Sequence, residues 1–485
     1  MDAVIESPGS RLLAIAGCLL SFTACHVPVD PSRAPNGSVR NKSLSPSLNT
    51  SVAPGGQRGE DEIGSSVLPL FMIDLNGRKI AGRDETPGVL RVIEDHDGSL
   101  RDLANREISM ESRVSLEIHG DLSATLAKKS YQLELVDDKQ KDHDLPLLGL
   151  PKGSDWILHG CGFDPNCLRN VLVYTLGRNL GHYAPRTRFV ELFIDDAYQG
   201  LYVLIERVRR DNDRVNLPRP SRTASDGDIT GGYIFKMDLA EGSPADGIPR
   251  DWVSPVSQTV YSYYYPRFDQ ITSAQKAYLR DHVSRFEALM RSSAWNDADA
   301  GYRRWLHLPS WVDFALIQEL ALNPDAYFKS VYFQKWPRSM GDKIAIGPLW
   351  DFDIAFGVVD FRGGRDTQAW AHTMNRFGAE RVPYVPPGKV PYVPEYWERL
   401  WTDPVFHQHL RCRWQQLRKG PLRTDRLDAM IEGWLDQLAV ALPRDWALWS
   451  SLPKNSYHGG GQSLREFLGK RLAWMDANLP GRCAA

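Results

Sequence analysis

Residues 114–118 and 131–135 alternate apolar and polar side chains, with Val114, Leu116 and Ile118 in the first segment and Tyr131, Leu133 and Leu135 in the second. A period of two buries one face of a strand and no face of a helix, so this stretch has to form half-buried β-strands joined by the loop 119–128. The rest of the chain must build around them. A short buried strand is predicted at 67–74, closed by Asn76-Gly77, and a helix at 168–180, closed by Gly181. Residues 189–194 and 201–208 read as a hairpin about Asp195-Asp196, and 273–290 as an amphipathic helix. A nearly all-apolar helix covers 310–323, where Pro324 disfavours helical geometry in the residue before it. A second hairpin joins 331–336 to 343–349, and the chain from Pro394 onward reads as helices.

The N-terminus carries an address. Arg11 precedes an apolar run from Leu12 to Phe22, which ends in Thr23-Ala24-Cys25. That run has signal-peptide length, and small residues before a cysteine resemble a bacterial lipobox, with Phe22 where the pattern prefers Leu. Residues 1–25 are expected to be a lipoprotein signal, Cys25 a lipid anchor to a bacterial membrane, and 26–66 a Pro-, Ser- and Gly-rich tether with a reach on the order of 35 Å. An ordinary secretory signal is the alternative, and both readings place the protein outside the cytoplasm, in the periplasm or at the cell surface. Four cysteines then remain. Cys161 and Cys167 enclose a turn-rich Gly-Phe-Asp-Pro-Asn and are expected to pair, which leaves Cys412 for Cys483. With 58 basic against 60 acidic residues the chain lacks the positive excess of a nucleic-acid binder.

Two acidic motifs fall at junctions between elements. Asn323-Pro324-Asp325 follows the buried helix, and Trp350-Asp351-Phe352-Asp353 follows the second hairpin. Phosphoryl transfer needs a carboxylate beside the attacking hydroxyl and further oxygen ligands for a divalent ion. In kinases these lie on a loop after a buried helix and beyond a short hairpin. If 350–353 is extended, Asp351 and Asp353 point to one face and Phe352 to the other. Element order and motifs together predict an α+β, two-lobed atypical protein-kinase-like fold over 67–480. Its mostly β N-lobe would cover about 67–210 and its mostly α C-lobe about 230–480.

The same residues resemble the spore coat protein H (CotH) kinase family. The similarity includes Lys128-Lys129-Ser130-Tyr131, Leu168-Arg169-Asn170, 189–193, 200–207, 231–234, 323–325 and 347–353, and extends over about 68–446. It implies an ATP-dependent kinase that uses Mg²⁺ or Mn²⁺ and phosphorylates serine in secreted or surface proteins. By resemblance Asp325 is the catalytic base, Asp351 the main metal ligand and Asp353 its assistant. Lys128 or Lys129 would reach the phosphates, and Glu206 the adenine. The chain departs from the family at His119, where Arg is usual before Gly120, and at Ser330, where kinases place a metal-binding Asn. His119 is thereby the expected phosphate contact and Ser330 a neutral metal ligand. The helix 168–180 has no acidic residue, so the usual Lys–Glu pair cannot form from it. An inactive surface binding or assembly protein and a nucleotidyl transferase are the competing readings.

Overall fold

The computed structural model describes residues 65–94, 101–102, 107–120, 123–225, 227–238, 251–376, 393–450 and 464–483. The expected signal segment, Cys25 and the tether up to residue 64 lie outside them. The first half contains β1 (Ser65–Ser66), β2 (Leu70–Asp74), β3 (Thr86–Ile93), β4 (Arg101–Asp102), β5 (Met110–His119) and β6 (Ser130–Val136). β7 (Asp155–His159), α1 (Arg169–Asn179), β8 (Thr187–Ile194) and β9 (Ala197–Glu206) follow. The alternating segments pair as expected, Leu116 lying opposite Leu133 in an antiparallel ladder. Asp195 and Asp196 turn the β8–β9 hairpin with φ of 48° and 62°, the left-handed pair that such a tight turn requires.

The two-lobed kinase-like fold expected from the sequence is not what forms. Seven strands close into a barrel in the order β2-β3-β5-β6-β7-β9-β8, sealed by a parallel pairing of β2 with β8. Closure removes the exposed edges that an open sheet would leave. The described residues from Ser65 onward also fall in one compact unit rather than two lobes. The barrel is filled by inward side chains that include Phe71, Leu116, Leu133, Trp156, Leu158 and Leu204. Part of its outer face, at Ile157, Val203 and Ile205, joins the main core with α1.

The second half is not mainly helical either. β10 (Tyr233–Met237), β11 (Asp251–Val253) and β12 (Val260–Tyr265) precede α2 (Ser273–Arg291), α3 (Tyr302–Trp305) and α4 (Leu308–Ala321). β13 (Val331–Lys335) and β14 (Ile344–Ile346) then complete a five-stranded antiparallel sheet, β11-β12-β10-β13-β14. Tyr261 and Tyr263 of β12 pack into its core with Trp252 and Phe235. α5 (Glu395–Leu400), α6 (Pro404–Arg418), α7 (Thr424–Gln437), α8 (Ala441–Leu448) and a last helix, Leu464–Asn478, follow. Disulfides join Cys161 to Cys167 and Cys412 to Cys483, as expected. Such bonds persist in oxidising compartments and point to an extracytoplasmic protein. Among the described residues no helix is long and apolar enough to cross a membrane.

Candidate functional site

α4 is buried on every side from Ser310 to Ala321 and ends at Leu322, whose φ of 44° turns the chain out of the helix. The next residues are held by their own side chains. Asn323 Oδ1 accepts the Asp325 N–H at 3.1 Å, and Asn323 Nδ2 donates to the Asp351 carbonyl at 3.3 Å. One amide thus fastens the loop after the helix to the segment after the hairpin. Tyr327 anchors the loop from the other side by donating to buried Glu319 at 2.9 Å, which also accepts the N–H groups of Ala371 and His372.

The segment 351–355 is clamped by α1. Asp351 N–H donates to the Tyr174 hydroxyl at 3.2 Å, and Phe352 N–H to Asn170 Oδ1 at 2.7 Å. Arg169 Nε donates to the Ala355 carbonyl, while its Nη1 meets Asp164 Oδ1 at 2.5 Å. Asp164, on the disulfide-closed loop, also accepts the Arg169 N–H at 2.7 Å. Trp350 stacks on Tyr174 and Phe352 is wholly buried. The expected extended run at 350–353 is not present, because Asp351 has a φ of 65°. Left-handed backbone at a non-glycine residue is strained and is retained where the surroundings fix it. The hydrogen bonds to Asn170, Tyr174 and Asn323 do so here.

Asp325, Asp351, Asp353 and Ser330 come together. Ser330 Oγ donates to Asp351 Oδ2 at 3.1 Å, and the Asp351 and Asp353 carboxyls interact directly. Burial pushes the Asp351 carboxyl up to about 7, and the charges of Asp353 and Asp325 add to it. Burial likewise raises Asp353 to about 7, helped by Asp164 and Asp325. Lys329 opposes both shifts. Asp325 itself bonds Arg362 Nη1 through Oδ1 at 2.6 Å and has Lys329 Nζ at 3.7 Å from Oδ2.

The residues expected at the nucleotide are placed differently. Lys128 is buried, donating to Asp445 Oδ1 at 2.6 Å and to the Leu201 carbonyl at 2.7 Å. Glu206 is buried too, between Arg186 at 2.9 Å and Arg214 at 3.2 Å. These charges are neutralised inside the fold, where a phosphate or a base would have to displace an ion pair. Lys129 is half-buried, with its ammonium on the Ala124 carbonyl at 2.7 Å, within the loop before β6. His119 ends β5, and burial with the charges of Arg207, His159, Arg83 and Lys236 lowers it to about 3, so it presents a neutral ring.

The oxygen-only donor set of Asp351, Asp353 and Ser330 fits a hard divalent cation, since two buried carboxyls raised by neighbouring acids gain most from a cation. Among the described residues no three His, Cys, Asp or Glu side chains converge as a metal cage. Mg²⁺ characteristically takes one or two carboxylates and completes its shell with substrate phosphates and water, so two suffice.

The family described as "CotH kinase protein" matches residues 116–475, which includes every one of these side chains. The chain belongs to the CotH kinase family. Among curated proteins none matches it. Membership suggests a kinase-like function. In this member of the family the sequence alone did not single out Lys329, Arg362 and Tyr174. Lys329 stands one turn beyond Asp325 and was legible by spacing; Arg362 sits in a glycine-rich run that gives no signal.

Proposed function

We propose that the chain is an extracytoplasmic kinase that transfers the γ-phosphoryl group of ATP to a serine hydroxyl of a protein, using Mg²⁺ or Mn²⁺. The convergence of Asp325 with the Asp351–Asp353 pair supports this reading more than any other observation, with Asn323 locking the two loops together. Asp351 and Asp353 would hold the cation with Ser330, and the cation would neutralise phosphate charge as the β–γ bond loosens. Asp325 accepts the proton of the acceptor hydroxyl as its oxygen bonds the γ-phosphorus. The bridging oxygen leaves with ADP. Lys129 and His119 would meet the phosphates, His119 as a neutral donor. Lipidation at Cys25 would hold the enzyme at a bacterial membrane, and mass spectrometry of the mature N-terminus tests that part.

The deciding experiment incubates purified protein with γ-labelled or α-labelled ATP, a protein acceptor and Mg²⁺ or Mn²⁺. Transfer of the γ label alone is expected. Transfer of the α label would establish nucleotidyl transfer in its place, and transfer of neither would leave a binding module.

A further inference from the structure

Arg362 occupies the carboxylate assigned as base. Its Nη1 lies 2.6 Å from Asp325 Oδ1 and 3.1 Å from the Pro324 carbonyl, so one nitrogen grips both the side chain and the backbone of the loop. The guanidinium is buried and packs over the Phe328 ring at 4.8 Å. Its backbone is left-handed, with φ 52° and ψ 26°, a conformation that costs a non-glycine residue energy and clusters at functional sites. Two further bonds hold the segment in place: Arg365 Nε donates to the Gly357 carbonyl at 3.1 Å and Nη2 to the Val358 carbonyl at 2.9 Å. With Oδ1 taken, the other oxygen of Asp325 is on the side of Lys329, whose side chain is 20% exposed.

We propose that Arg362 is a positioning residue that fixes the Asp325 carboxylate through Oδ1, so that Oδ2 is the oxygen presented to the acceptor hydroxyl. The inference rests on the kinase reading. An arginine suits the task because its planar guanidinium packs over the Phe328 ring while Nη1 bonds both oxygens, and it keeps its charge at every working pH. A lysine nitrogen can meet a carbonyl and a carboxylate together, as Lys128 does, but it lacks the planar group that packs over Phe328 and so holds the carboxylate less rigidly.

The test uses the full chain with Arg362→Ala and Arg362→Lys, measuring kcat, the KM for ATP, Mg²⁺–ATP affinity by calorimetry, and thermal unfolding. Arg362→Ala is expected to lower kcat about 100-fold, the scale of a misplaced catalytic group, with KM and affinity unchanged within about twofold. Millimolar guanidinium chloride should recover several-fold of that loss, and Arg362→Lys should fall between wild type and Arg362→Ala. A kcat within about twofold of wild type in either variant overturns the proposal, as does a loss that neither guanidinium nor lysine repairs. Should Arg362→Ala fail to fold, Arg362→Lys decides by the same kcat criterion. If wild type binds Mg²⁺–ATP but transfers no label, the kinase reading fails by itself. Crystal structures of wild type and Arg362→Ala then decide the arginine: an Asp325 carboxylate unmoved without it overturns the proposal, and a rotated one upholds it.

Discussion

Glu206 at the end of the barrel and Asp353 beyond the second hairpin are both buried carboxylates, 0% and 7% exposed. Glu206 is ringed by cations, with Arg186 and Arg214 within 3.2 Å. Asp353 is ringed by acids, and Asp164 and Asp325 reinforce the effect of burial in raising it to about 7. Glu206 is thereby neutralised within the fold. A buried acid raised by neighbouring acids in a cluster is a candidate functional group. Lys128 belongs with Glu206 in this respect, since Asp445 neutralises it.

The comparison is put under most strain by removing Asp325. If the acidic junction serves chemistry, Asp325→Ala should reduce turnover by about 10²–10⁴-fold, the usual contribution of a general base. Mg²⁺–ATP affinity should survive, because a base acts mainly in the transition state. Asp351→Ala should instead weaken Mg²⁺–ATP binding. Calorimetry alongside a turnover assay separates the two, and the reverse pattern would exchange their roles.

Stability should respond with opposite sign in the two regions. Glu206→Ala strands two arginines in the barrel and should cost about 3–5 kcal/mol in urea unfolding. Asp353→Asn removes a carboxyl that the fold holds near its ionised form only at a cost. Without metal at about pH 8, it should stabilise the protein by an amount on the order of 1 kcal/mol or more. Equal destabilisation by both variants would erase the distinction between them.

How much of this was legible in the sequence depends on the range of each interaction. Val114, Leu116 and Ile118 announced β5 because alternation is local. β3 was hidden by Pro87 and Gly88 within it, and β7 is five residues long. Barrel closure rests on Leu70 pairing with Glu191, which no local pattern encodes. That is why closure of a barrel was not expected. Within the site, Asp325, Asp351 and Asp353 were found by their junction positions, but the reason they converge was not alternation. Asp351 is left-handed and held by α1. The family resemblance offered Lys128 or Lys129 as the phosphate ligand, and no local pattern announces that Lys128 pairs with Asp445, 317 residues away.

A smaller effect tests whether the acidic junction takes a cation. Asp351 and Asp353 keep their protons to about pH 7 in the folded state, whereas an unfolded aspartate releases its proton near the ordinary value of 3.8. Between those limits the folded protein binds more protons than the unfolded one, so metal-free stability should fall as pH rises from about 4 to about 7 and level off above. Mg²⁺ competes with those protons. At ten times its dissociation constant it should add about 1.4 kcal/mol at about pH 8 and little at about pH 5.5. Thermal melts with and without Mg²⁺ at both pH values measure this, and an equal gain at both would place the cation elsewhere.

The two adjacent lysines allow the finest cut, since they differ by one position in sequence and fall on opposite sides of the comparison. Lys129 is half-buried in the loop before β6 and gives up only a bond to the Ala124 carbonyl if it turns to a phosphate. Such a partly exposed contact is screened by solvent and salt, so Lys129→Met should weaken ATP binding by about fivefold, near 1 kcal/mol. Lys128 would have to abandon Asp445 and the Leu201 carbonyl, leaving a buried carboxylate without its cation. Removing one partner of such a pair is costly, so Lys128→Met should lower the unfolding midpoint while the folded fraction binds ATP within about twofold of wild type. Calorimetry at a temperature where circular dichroism shows both variants folded gives the two affinities. If Lys128→Met loses ATP binding and Lys129→Met keeps it, the buried pair must open when nucleotide arrives, and paired burial would no longer mark a charge as structural.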